Sequence, residues 1–258
     1  MSEPAADPEV HARRARSFGA LADAYDRWRP GYPDAAVDWL LPSGARDVAD
    51  VGAGTGKLTG ALLTRGLRVT AVEPDPGMLA VLARVHPAAD ARVAGADALP
   101  LADASVDAVV VGQAWHWFPH EEAAAEVRRV LRPGGWLGLV WNQSAPGDPW
   151  QEEVERLNAG ARGAALEATV ELPDVIEVEG LPSTELEAAL FPWAEHVTPE
   201  QVRARLATYS HIALLEAAAR EALLDRVAAV VGEECGRQGT PTVPMRAVAY
   251  CVRWRPGR

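Results

Sequence analysis

The chain has 258 residues, 48% of them hydrophobic and 24% charged, and its formal net charge is −11 at pH 7. This length can bury a substantial core, so the fold needs neither a disulfide nor a metal to hold it together. The negative charge argues against nucleic-acid binding, because affinity for phosphate backbones comes largely from lysine and arginine side chains.

The cysteines and the apolar runs of the sequence predict the cellular compartment of the protein. Cys235 and Cys251 occur without a CxxC pair or a histidine-rich ligand spacing, so we expect a reducing environment, no disulfide framework and no bound metal. The sequence shows neither a secretory signal pattern nor an apolar run long enough to cross a bilayer. We therefore expect a cytoplasmic protein, monomeric or homodimeric, without a nucleic-acid or membrane partner.

The first part of the chain is predicted to be a tail followed by a helical lid. Residues 1–11 have nothing periodic to bury, so they are expected to be disordered. Apolar residues recur at three- and four-residue steps from Ala12 to Trp28, which predicts an amphipathic helix that ends before Pro30. A second helix is predicted over Asp34–Leu41, which completes a lid over residues 12–41.

Residues 45–142 alternate short apolar runs with helical stretches. The predicted strands are Asp47–Val51, Arg68–Val72, Ala91–Ala94, Val106–Gly112 and Trp136–Trp141. The predicted helices between them are Lys57–Arg65, Pro76–Val85 and Glu121–Leu131. This alternation is typical of parallel strands with right-handed crossovers and helices on both faces, so it predicts a doubly wound α/β fold.

Residues 143–258 are predicted to complete a single domain, over residues 12–258, with acceptor-side helices and the last strands. A helix begins near Trp150 and a polar stretch covers residues 159–183. Later elements are predicted as a strand over Leu186–His196, helices over Pro199–Tyr209 and Leu214–Gly232, and a strand over Val243–Trp254. We expect this last strand to be antiparallel and to lie at or near the edge of the sheet.

The segment Asp50-Val51-Gly52-Ala53-Gly54-Thr55-Gly56-Lys57 links the first strand to the first helix of the core. Small residues let the backbone turn tightly and approach a ligand, and the helix N-terminus presents N–H groups to it. Two common nucleotide motifs do not fit. A P-loop needs glycine where Val51 stands and Ser or Thr where Leu58 stands. The two possible registers of a dinucleotide fingerprint end at Lys57 and Thr59, where Gly or Ala belongs.

Glu73 ends the second predicted strand, next to the glycine loop in a doubly wound sheet. A carboxylate at this position can accept hydrogen bonds from both ribose hydroxyls of an adenosine. NAD contains the same ribose, so Glu73 indicates an adenosine ligand rather than a particular reaction.

The D-x-G-x-G-x-G pattern of the loop resembles that of the class I S-adenosylmethionine-dependent methyltransferases. The segments Val69–Asp75, Gly95–Pro100, Val106–Gln113 and Val130–Leu137 resemble the same family in the same order. The resemblance implies a seven-stranded, mostly parallel sheet with an N-terminal helical lid and a C-terminal helical insert. It also implies S-adenosyl-L-methionine as the cofactor and S-adenosyl-L-homocysteine as its product.

The predicted cofactor site combines the glycine loop, the end of the second strand with the start of its following helix, the adenine-binding segment of the resembled family, and the end of the fourth strand. Its members are Asp50, Gly52, Ala53, Gly54, Gly56, Glu73, Pro74, Met78, Asp97, Ala98, Leu99 and Gln113. Tyr25 and Arg29 are added because their spacing places them on one helix face, from which Arg29 could pair with the methionine carboxylate of the cofactor. The alternative for Arg29 is an ion pair with Asp23 or Asp26.

The segments Tyr25–Pro33 and Gln113–Phe118 resemble, more narrowly, small-molecule methyltransferases similar to trans-aconitate methyltransferase. The resemblance covers roughly residues 17–142. It is loose in the C-terminal part, where substrate-specific elements commonly lie, so naming an acceptor from it would rest on the fold alone.

His116 is the candidate general base, because imidazole titrates near neutral pH and the residue follows the fourth strand at the crevice. Its alternative role is a hydrogen-bonded support for the pocket wall. Trp115 and Trp117 are candidate acceptor contacts, with core packing as the alternative. Tyr209 and His211 are further candidate acceptor contacts.

The function predicted from these patterns is methyl transfer from S-adenosylmethionine to a small-molecule acceptor, with a hydroxyl or carboxylate oxygen as the preferred target. One alternative is a non-catalytic protein that binds S-adenosylmethionine or S-adenosylhomocysteine. A second is an NAD-dependent oxidoreductase, although the glycine loop lacks the dinucleotide register.

Overall fold

The structure is a computed structural model that describes residues 22–145, 147–162 and 176–256. Its sheet has seven strands, which are β1 (Asp47–Val51), β2 (Arg68–Val72), β3 (Asp90–Arg92), β4 (Val106–Gly112), β5 (Leu131–Ser144), β6 (Leu186–Val197) and β7 (Val243–Trp254). The predicted tail, the part of the first helix before Ala22 and most of the predicted polar stretch lie outside the described residues.

The helices of the described ranges differ widely in length. They are α1 (Ala22–Trp28), α2 (Asp34–Trp39), α3 (Lys57–Leu63), α4 (Pro76–Val85), α5 (His120–Val130), α6 (Pro149–Arg162), α7 (Pro199–Ala207), α8 (Ser210–Ala213) and α9 (Ala217–Gln238). Short 3-10 turns cover Trp115–Trp117 and Ser183–Glu185. In these ranges no helix is long and apolar enough to cross a membrane.

The strand order is β3-β2-β1-β4-β5-β7-β6. β1 pairs in parallel with β2 and with β4, β2 pairs in parallel with β3, and β4 pairs in parallel with β5. β7 is antiparallel to β5 and lies one place in from the edge. The predicted seven-stranded, mostly parallel, doubly wound fold is confirmed. The order reverses between β1 and β4, and such a point opens a crevice at the carboxyl ends of the strands.

Two predicted strand ranges were wrong. The third strand is Asp90–Arg92 rather than Ala91–Ala94, because its partner β2 ends at Val72, which pairs with Arg92. The fifth strand is longer than Trp136–Trp141, because antiparallel pairing with β7 continues as far as Ser144, opposite Ala247.

Three helix ends also differ from the prediction by more than one residue. The helix predicted over Asp34–Leu41 ends at Trp39, and the one predicted over Lys57–Arg65 ends at Leu63. The helix predicted over Pro199–Tyr209 stops at Ala207. The Thr208 hydroxyl donates to the Arg205 carbonyl at 2.7 Å, and α8 begins at Ser210.

The last long helix is Ala217–Gln238 rather than Leu214–Gly232. Its start is set by Glu216, whose side chain accepts hydrogen bonds from the backbone N–H groups of Ala218 and Ala219. Its end is set by Gly239, which has a φ of 69°. The predicted last residue, Gly232, lies inside the helix.

The chain divides into two compact units. Within the described ranges, the sheet unit comprises residues 30–145, 176–193 and 246–256, and the helical unit comprises residues 22–29, 147–162 and 194–245. The single domain predicted over residues 12–258 stays a prediction. The predicted lid, residues 12–41, does not coincide with a unit, because the unit boundary falls after Arg29.

The sheet unit has a hydrophobic core on each face of the sheet, and the helical unit has a core of its own. In the sheet unit, alternate residues of a strand serve opposite faces, so Val109 and Val111 join one core while Ala108 and Val110 join the other. The core of the helical unit is built from α6, α7, α8, α9 and neighbouring strand ends. Its buried members include Trp150, Val154, Val202, Leu206, Ile212, Leu224, Val227 and Val231.

Candidate functional site

The glycine loop joins β1 to α3 and is held against the end of β2. The N–H groups of Gly52 and Ala53 donate to the Val72 carbonyl at 2.8 and 3.1 Å. Gly52 has a φ of 70°, and a Cβ there would lie 2.7 Å from the Ala114 Cβ. Gly54 has a φ of 56°, and a Cβ there would meet no atom of the described residues within 4 Å. One glycine therefore permits close packing, and the other keeps the edge of the loop open.

Glu73 bridges this loop and the turn that follows β2. Its Oε2 accepts the Gly54 N–H and its Oε1 accepts the Asp75 N–H, each at 2.9 Å. Burial raises the pKa of Glu73, and the two backbone hydrogen bonds oppose that rise. Each oxygen keeps a second lone pair, so the carboxylate can still accept ligand hydroxyl groups.

Asp50 lies beneath the loop and is buried. Its Oδ2 accepts a hydrogen bond from the Thr59 hydroxyl at 2.6 Å. Burial raises the pKa of Asp50 to about 7; the Thr59 hydrogen bond opposes the rise and the negative charge of Glu73 adds to it. Within the described ranges, Asp50 Oδ1 has no hydrogen-bond partner.

Thr55, inside the glycine loop, was missed by the sequence analysis. Its side chain is buried, and its Oγ1 also has no hydrogen-bond partner among the described residues. Unsatisfied buried oxygens are uncommon in native structures, and they point to a ligand or another partner. The signal that could have identified Thr55 is a hydroxyl residue in a loop that otherwise needs only small side chains.

The turn after β2 orders the start of α4. Asp75 caps this helix, since its side chain accepts the N–H groups of Gly77 and Met78 at 2.7 and 3.0 Å. Of the predicted site residues, Pro74 is exposed and Met78 is buried. Pro74 directly follows Glu73, and Met78 lies in the first turn of α4.

The predicted adenine segment is clamped by α5. The Leu99 N–H donates to Glu126 Oε2 at 2.7 Å, and Arg129 donates to the Leu99 and Leu101 carbonyls at 3.0 and 2.7 Å. Glu126 and Arg129 also pair with each other at 2.7 Å. Asp97 and Ala98 are exposed beside this clamp.

Neither clamp residue was predicted from the sequence. A Glu-x-x-Arg pair at helical spacing occurs on many solvated helices, so the spacing alone does not distinguish a clamp from a surface ion pair. In the structure, the backbone contacts of Glu126 and Arg129 make that distinction.

Gln113 follows β4 with a φ of 60°, a conformation that is uncommon for a residue with a side chain. Its N–H donates to the Val140 carbonyl at 2.9 Å, and its Nε2 donates to the Asn142 carbonyl at 3.2 Å. The predicted cofactor residue Gln113 therefore also ties the end of β4 to the end of β5.

Trp115 is buried in the core, where its Nε1 donates to the Glu179 carbonyl at 3.1 Å. Its ring packs edge-on against Phe118, with 5.7 Å between the centroids. These contacts favour core packing over the predicted acceptor contact. His116, by contrast, is exposed, and its ring centroid lies 4.9 Å from that of the half-buried Trp117.

Four predicted site residues meet in the helical unit, although they are distant in sequence. The Arg29 guanidinium lies over the Tyr25 and Tyr209 rings, at 4.9 and 4.1 Å from their centroids, and its Nε donates to Thr208 Oγ1 at 2.9 Å. Arg29 comes just after the end of α1 at Trp28, and its guanidinium lies on the same side as the Tyr25 ring. The centroids of the Tyr209 and His211 rings lie 5.7 Å apart.

His211 has a polar partner within the same unit. Its Nε2 lies 2.9 Å from Asn158 Oδ1, so the ring is held between Asn158 and Tyr209. The other predicted site residues lie in the sheet unit. Across the described ranges, no group of three or more His, Cys, Asp or Glu side chains is placed to hold a metal ion.

Comparisons with known proteins agree with this fold. Residues 49–139 match a family model described as a methyltransferase domain. An uncharacterized methyltransferase from Mycobacterium tuberculosis is 41% identical over 237 residues, which cover 92% of this chain and 94% of the relative. A proposed type II methyltransferase from Anaeromyxobacter dehalogenans has a TM-score of 0.63 and 28% identity, over 87% of this chain and 96% of its own.

A third similarity is to the fold alone. Phosphoethanolamine N-methyltransferase 2 from Haemonchus contortus, solved with phosphomonomethylethanolamine and S-adenosylhomocysteine, has a TM-score of 0.52 and 17% identity over 96% of this chain and 59% of its own. The narrower resemblance to trans-aconitate methyltransferase stays a prediction. The family model, the relative and the strand order agree, and the chain belongs to the class I methyltransferases.

Proposed function

We propose that this chain transfers a methyl group from S-adenosylmethionine to a small-molecule acceptor, with oxygen as the preferred target. The observation that carries the proposal is the contact between Glu73 and the Gly54 N–H. This contact sets a carboxylate beside the glycine loop, and β1, which leads into the loop, borders the point where the strand order of the sheet reverses.

The residues at this edge fit an adenosine cofactor with a polar tail. Glu73 would accept hydrogen bonds from the ribose hydroxyl groups, and the segment Asp97–Leu99 would flank the adenine. The open side of Gly54 would let the ligand lie close to the backbone of the loop. Asp50 Oδ1 and Thr55 Oγ1 are buried oxygens without partners in the described ranges, and polar groups of such a ligand could satisfy them.

When bound, S-adenosylmethionine supplies a methyl group already activated by its sulfonium, so the protein's task is positioning. The side chains at the carboxyl end of β4 would hold the acceptor and exclude water. Holding the nucleophile about 3 Å from the methyl carbon can lower the barrier by several kcal/mol. Aromatic surface such as Trp117 suits this task, because it is apolar and can face a cation.

His116 is the candidate to take the proton from a hydroxyl acceptor. It is exposed and lies in the 3-10 turn Trp115–Trp117 that comes after β4, whereas the neighbouring Trp115 is buried. We expect His116→Gln to lower kcat by about 100-fold for a hydroxyl acceptor while leaving cofactor affinity unchanged. Full turnover by His116→Gln would reduce the role of His116 to supporting the pocket wall.

Arg29, Tyr209 and His211 are proposed as further ligand contacts, with Arg29 pairing with the cofactor carboxylate and the other two contacting the acceptor. Their grouping in the helical unit supports a shared role. If Arg29 pairs with the carboxylate, Arg29→Ala should weaken binding of S-adenosylhomocysteine but not that of 5′-methylthioadenosine, which lacks the amino-acid part. Equal losses for both ligands would assign Arg29 a structural role on Tyr209 and Thr208.

The catalytic claim is tested by transfer of label from S-adenosylmethionine that carries a tritiated methyl group. The purified protein is incubated with a bacterial small-molecule extract, and Glu73→Ala serves as the control. We expect label to enter small molecules with the wild-type protein and not with the variant. Tight binding of S-adenosylhomocysteine without any label transfer would favour the non-catalytic binding protein instead.

A further inference from the structure

Asn142, near the carboxyl end of β5, has a side-chain amide of which only the NH2 group meets a hydrogen-bond partner within the described ranges. Its Nδ2 donates to the Gly31 carbonyl at 2.8 Å. A carbonyl can only accept, so this bond fixes which end of the amide is the NH2 group and turns Oδ1 away from Gly31. Asn142 Oδ1 is buried and has no hydrogen-bond partner among the residues that the structure describes.

Asn142 shares a face of the sheet with the end of β4. Side chains alternate along a strand, so Asn142 points to the same face as Val140, which pairs with Gly112. A Cβ on Gly112 would lie 2.5 Å from the Tyr32 hydroxyl. The segment 31–33 therefore lies over the ends of β4 and β5, with Asn142 holding it through Gly31.

The position of Asn142 in the sheet separates it from the adenosine end of the proposed cofactor site. Glu73 follows β2, the glycine loop follows β1, and Asn142 belongs to β5, in the order β2-β1-β4-β5. Neighbouring strands are about 4.8 Å apart, so β5 lies about 14 Å from β2. An adenosine held by Glu73 and the loop would leave the end of β5 to the methyl acceptor.

Two segments that follow or end the neighbouring strands β4 and β5 carry no Lys, Arg, Asp or Glu side chain. They are Gly-Gln-Ala-Trp-His-Trp-Phe, residues 112–118, and Asn-Gln-Ser-Ala, residues 142–145. A carboxylate acceptor buried against them would have no cationic side chain from these segments, and it would have no proton to donate to Asn142 Oδ1. An alcohol, phenol, amine or amide acceptor has such a proton.

We infer that Asn142 Oδ1 accepts a hydrogen bond from an O–H or N–H group of a neutral methyl acceptor, and that it disfavours carboxylates. The inference rests on the proposed methyltransferase function and narrows its acceptor class. Of the two acceptor groups predicted from the sequence, it retains the hydroxyl group and excludes the carboxylate. Because Oδ1 is buried, we expect acceptor binding to shift side chains of the segment 31–33, as is common at binding sites.

The test is ligand-observed saturation-transfer NMR on protein saturated with S-adenosylhomocysteine. The probes are phenol, anisole, aniline and benzoate. Anisole is phenol with a methyl group in place of the hydroxyl proton, so it cannot donate a hydrogen bond. We expect phenol and aniline to bind about tenfold more tightly than anisole and benzoate, since an unpaired buried oxygen penalises the ligands without a donor. Tighter binding of benzoate than of phenol, or no binding of phenol, would overturn the inference.

Three variants separate a direct contact from the tether to Gly31. Asn142→Leu should reduce the preference for phenol over anisole to about twofold or less. Asn142→Asp keeps an acceptor oxygen but cannot donate to Gly31, so it should keep the preference. Gln143→Leu is the matched control, because its side chain points to the opposite face. Loss of the preference in both Asn142 variants would assign the effect to the tether and overturn the inference.

The affinity for S-adenosylhomocysteine separates this inference from the function on which it rests. All three variants should bind it as tightly as the wild-type protein, which also shows that they are folded. If the wild-type protein does not bind it, the proposed function fails, and the inference fails with it. If every protein binds it but none prefers phenol to anisole, only the assignment of Asn142 fails.

Discussion

Gly54 and Gly44 provide a matched pair of residues for testing the glycine loop. Both have positive φ, 56° and 77°, and a Cβ on either would meet no atom within 4 Å in the part of the chain that the structure describes. Gly54 borders Glu73, whereas Gly44 precedes β1 at the other end of the strand. We expect Gly54→Ala and Gly44→Ala each to lose about 1–2 kcal/mol of unfolding free energy, because alanine disfavours this backbone conformation.

Binding should distinguish the two variants. Gly54→Ala places a methyl group in the space that the cofactor would occupy, so we expect a loss of at least tenfold in affinity for S-adenosylhomocysteine, measured by calorimetry. Gly44→Ala should bind like the wild-type protein. Equal affinities in both variants would show that the open edge at Gly54 is not the cofactor site.

Asp50 gives the stability of the protein a predictable dependence on pH. Burial raises its pKa from 3.8 to about 7, so the folded state holds this proton more tightly than the unfolded chain does. The unfolding free energy should therefore fall as pH rises from about 4 to about 7, by up to about 1.4 kcal/mol per pH unit. Above about pH 7 this contribution should be constant.

Asp50→Asn should flatten this dependence, because the asparagine does not titrate. The measurement is urea unfolding of both proteins at about pH 5.5 and about pH 8. Some slope should remain in the variant, since burial also raises the pKa of Glu73. The same pH dependence in both proteins would contradict the assignment of a raised pKa to Asp50.

At the residue scale, the sequence identified groups whose chemistry depends on local spacing. Glu73 and the glycine loop were placed correctly beside each other, because the strand pattern and the loop pattern both point to the same turn. Thr55 and Asn142 were missed, because their interest lies in the hydrogen bonds that they do not make within the described ranges. Only three-dimensional packing shows that.

At the scale of elements, α5 holds the backbone of the predicted adenine segment in place. Glu126 and Arg129 hold the backbone of Leu99 and Leu101. We expect Arg129→Gln to weaken binding of S-adenosylhomocysteine by about tenfold, and to destabilise the fold by about 1 kcal/mol, because several hydrogen bonds to the segment are lost. Calorimetry and urea unfolding measure the two effects.

The control is a pair with the same chemistry on another helix. Arg156 and Glu153 on α6 are also three residues apart and form an exposed ion pair at 2.5 Å. Exposed pairs contribute little, so Arg156→Gln should leave both affinity and stability nearly unchanged. A similar loss of affinity in Arg156→Gln would show that the effect of Arg129 comes from charge rather than from the clamp.

Element boundaries were predictable where the sequence contains the residue that sets them. α4 was predicted without error, since Asp75 and Pro76 form a recognisable helix start. The start of α9 was not, because Glu216 is an unusual capping residue and its role depends on side-chain orientation. The length of β5 depended on pairing with β7, a strand about a hundred residues later in the chain.

At the scale of the whole molecule, each unit is assembled from separate stretches of sequence. The helical unit includes residues 22–29 with segments after residue 146, whereas residues 30–145 belong to the sheet unit. Hydrophobic periodicity describes one element at a time, so it predicted the helices but not their grouping. The βαβ order, in contrast, predicted the sheet, because right-handed crossovers leave few topologies open.

The central claim is that the glycine loop and Glu73 bind S-adenosylmethionine. Its most direct test is calorimetric titration of the wild-type protein and Glu73→Ala with S-adenosylhomocysteine and with NAD. We predict a micromolar dissociation constant for S-adenosylhomocysteine, a loss of at least tenfold in Glu73→Ala, and no binding of NAD. Binding of NAD without binding of S-adenosylhomocysteine would contradict the claim.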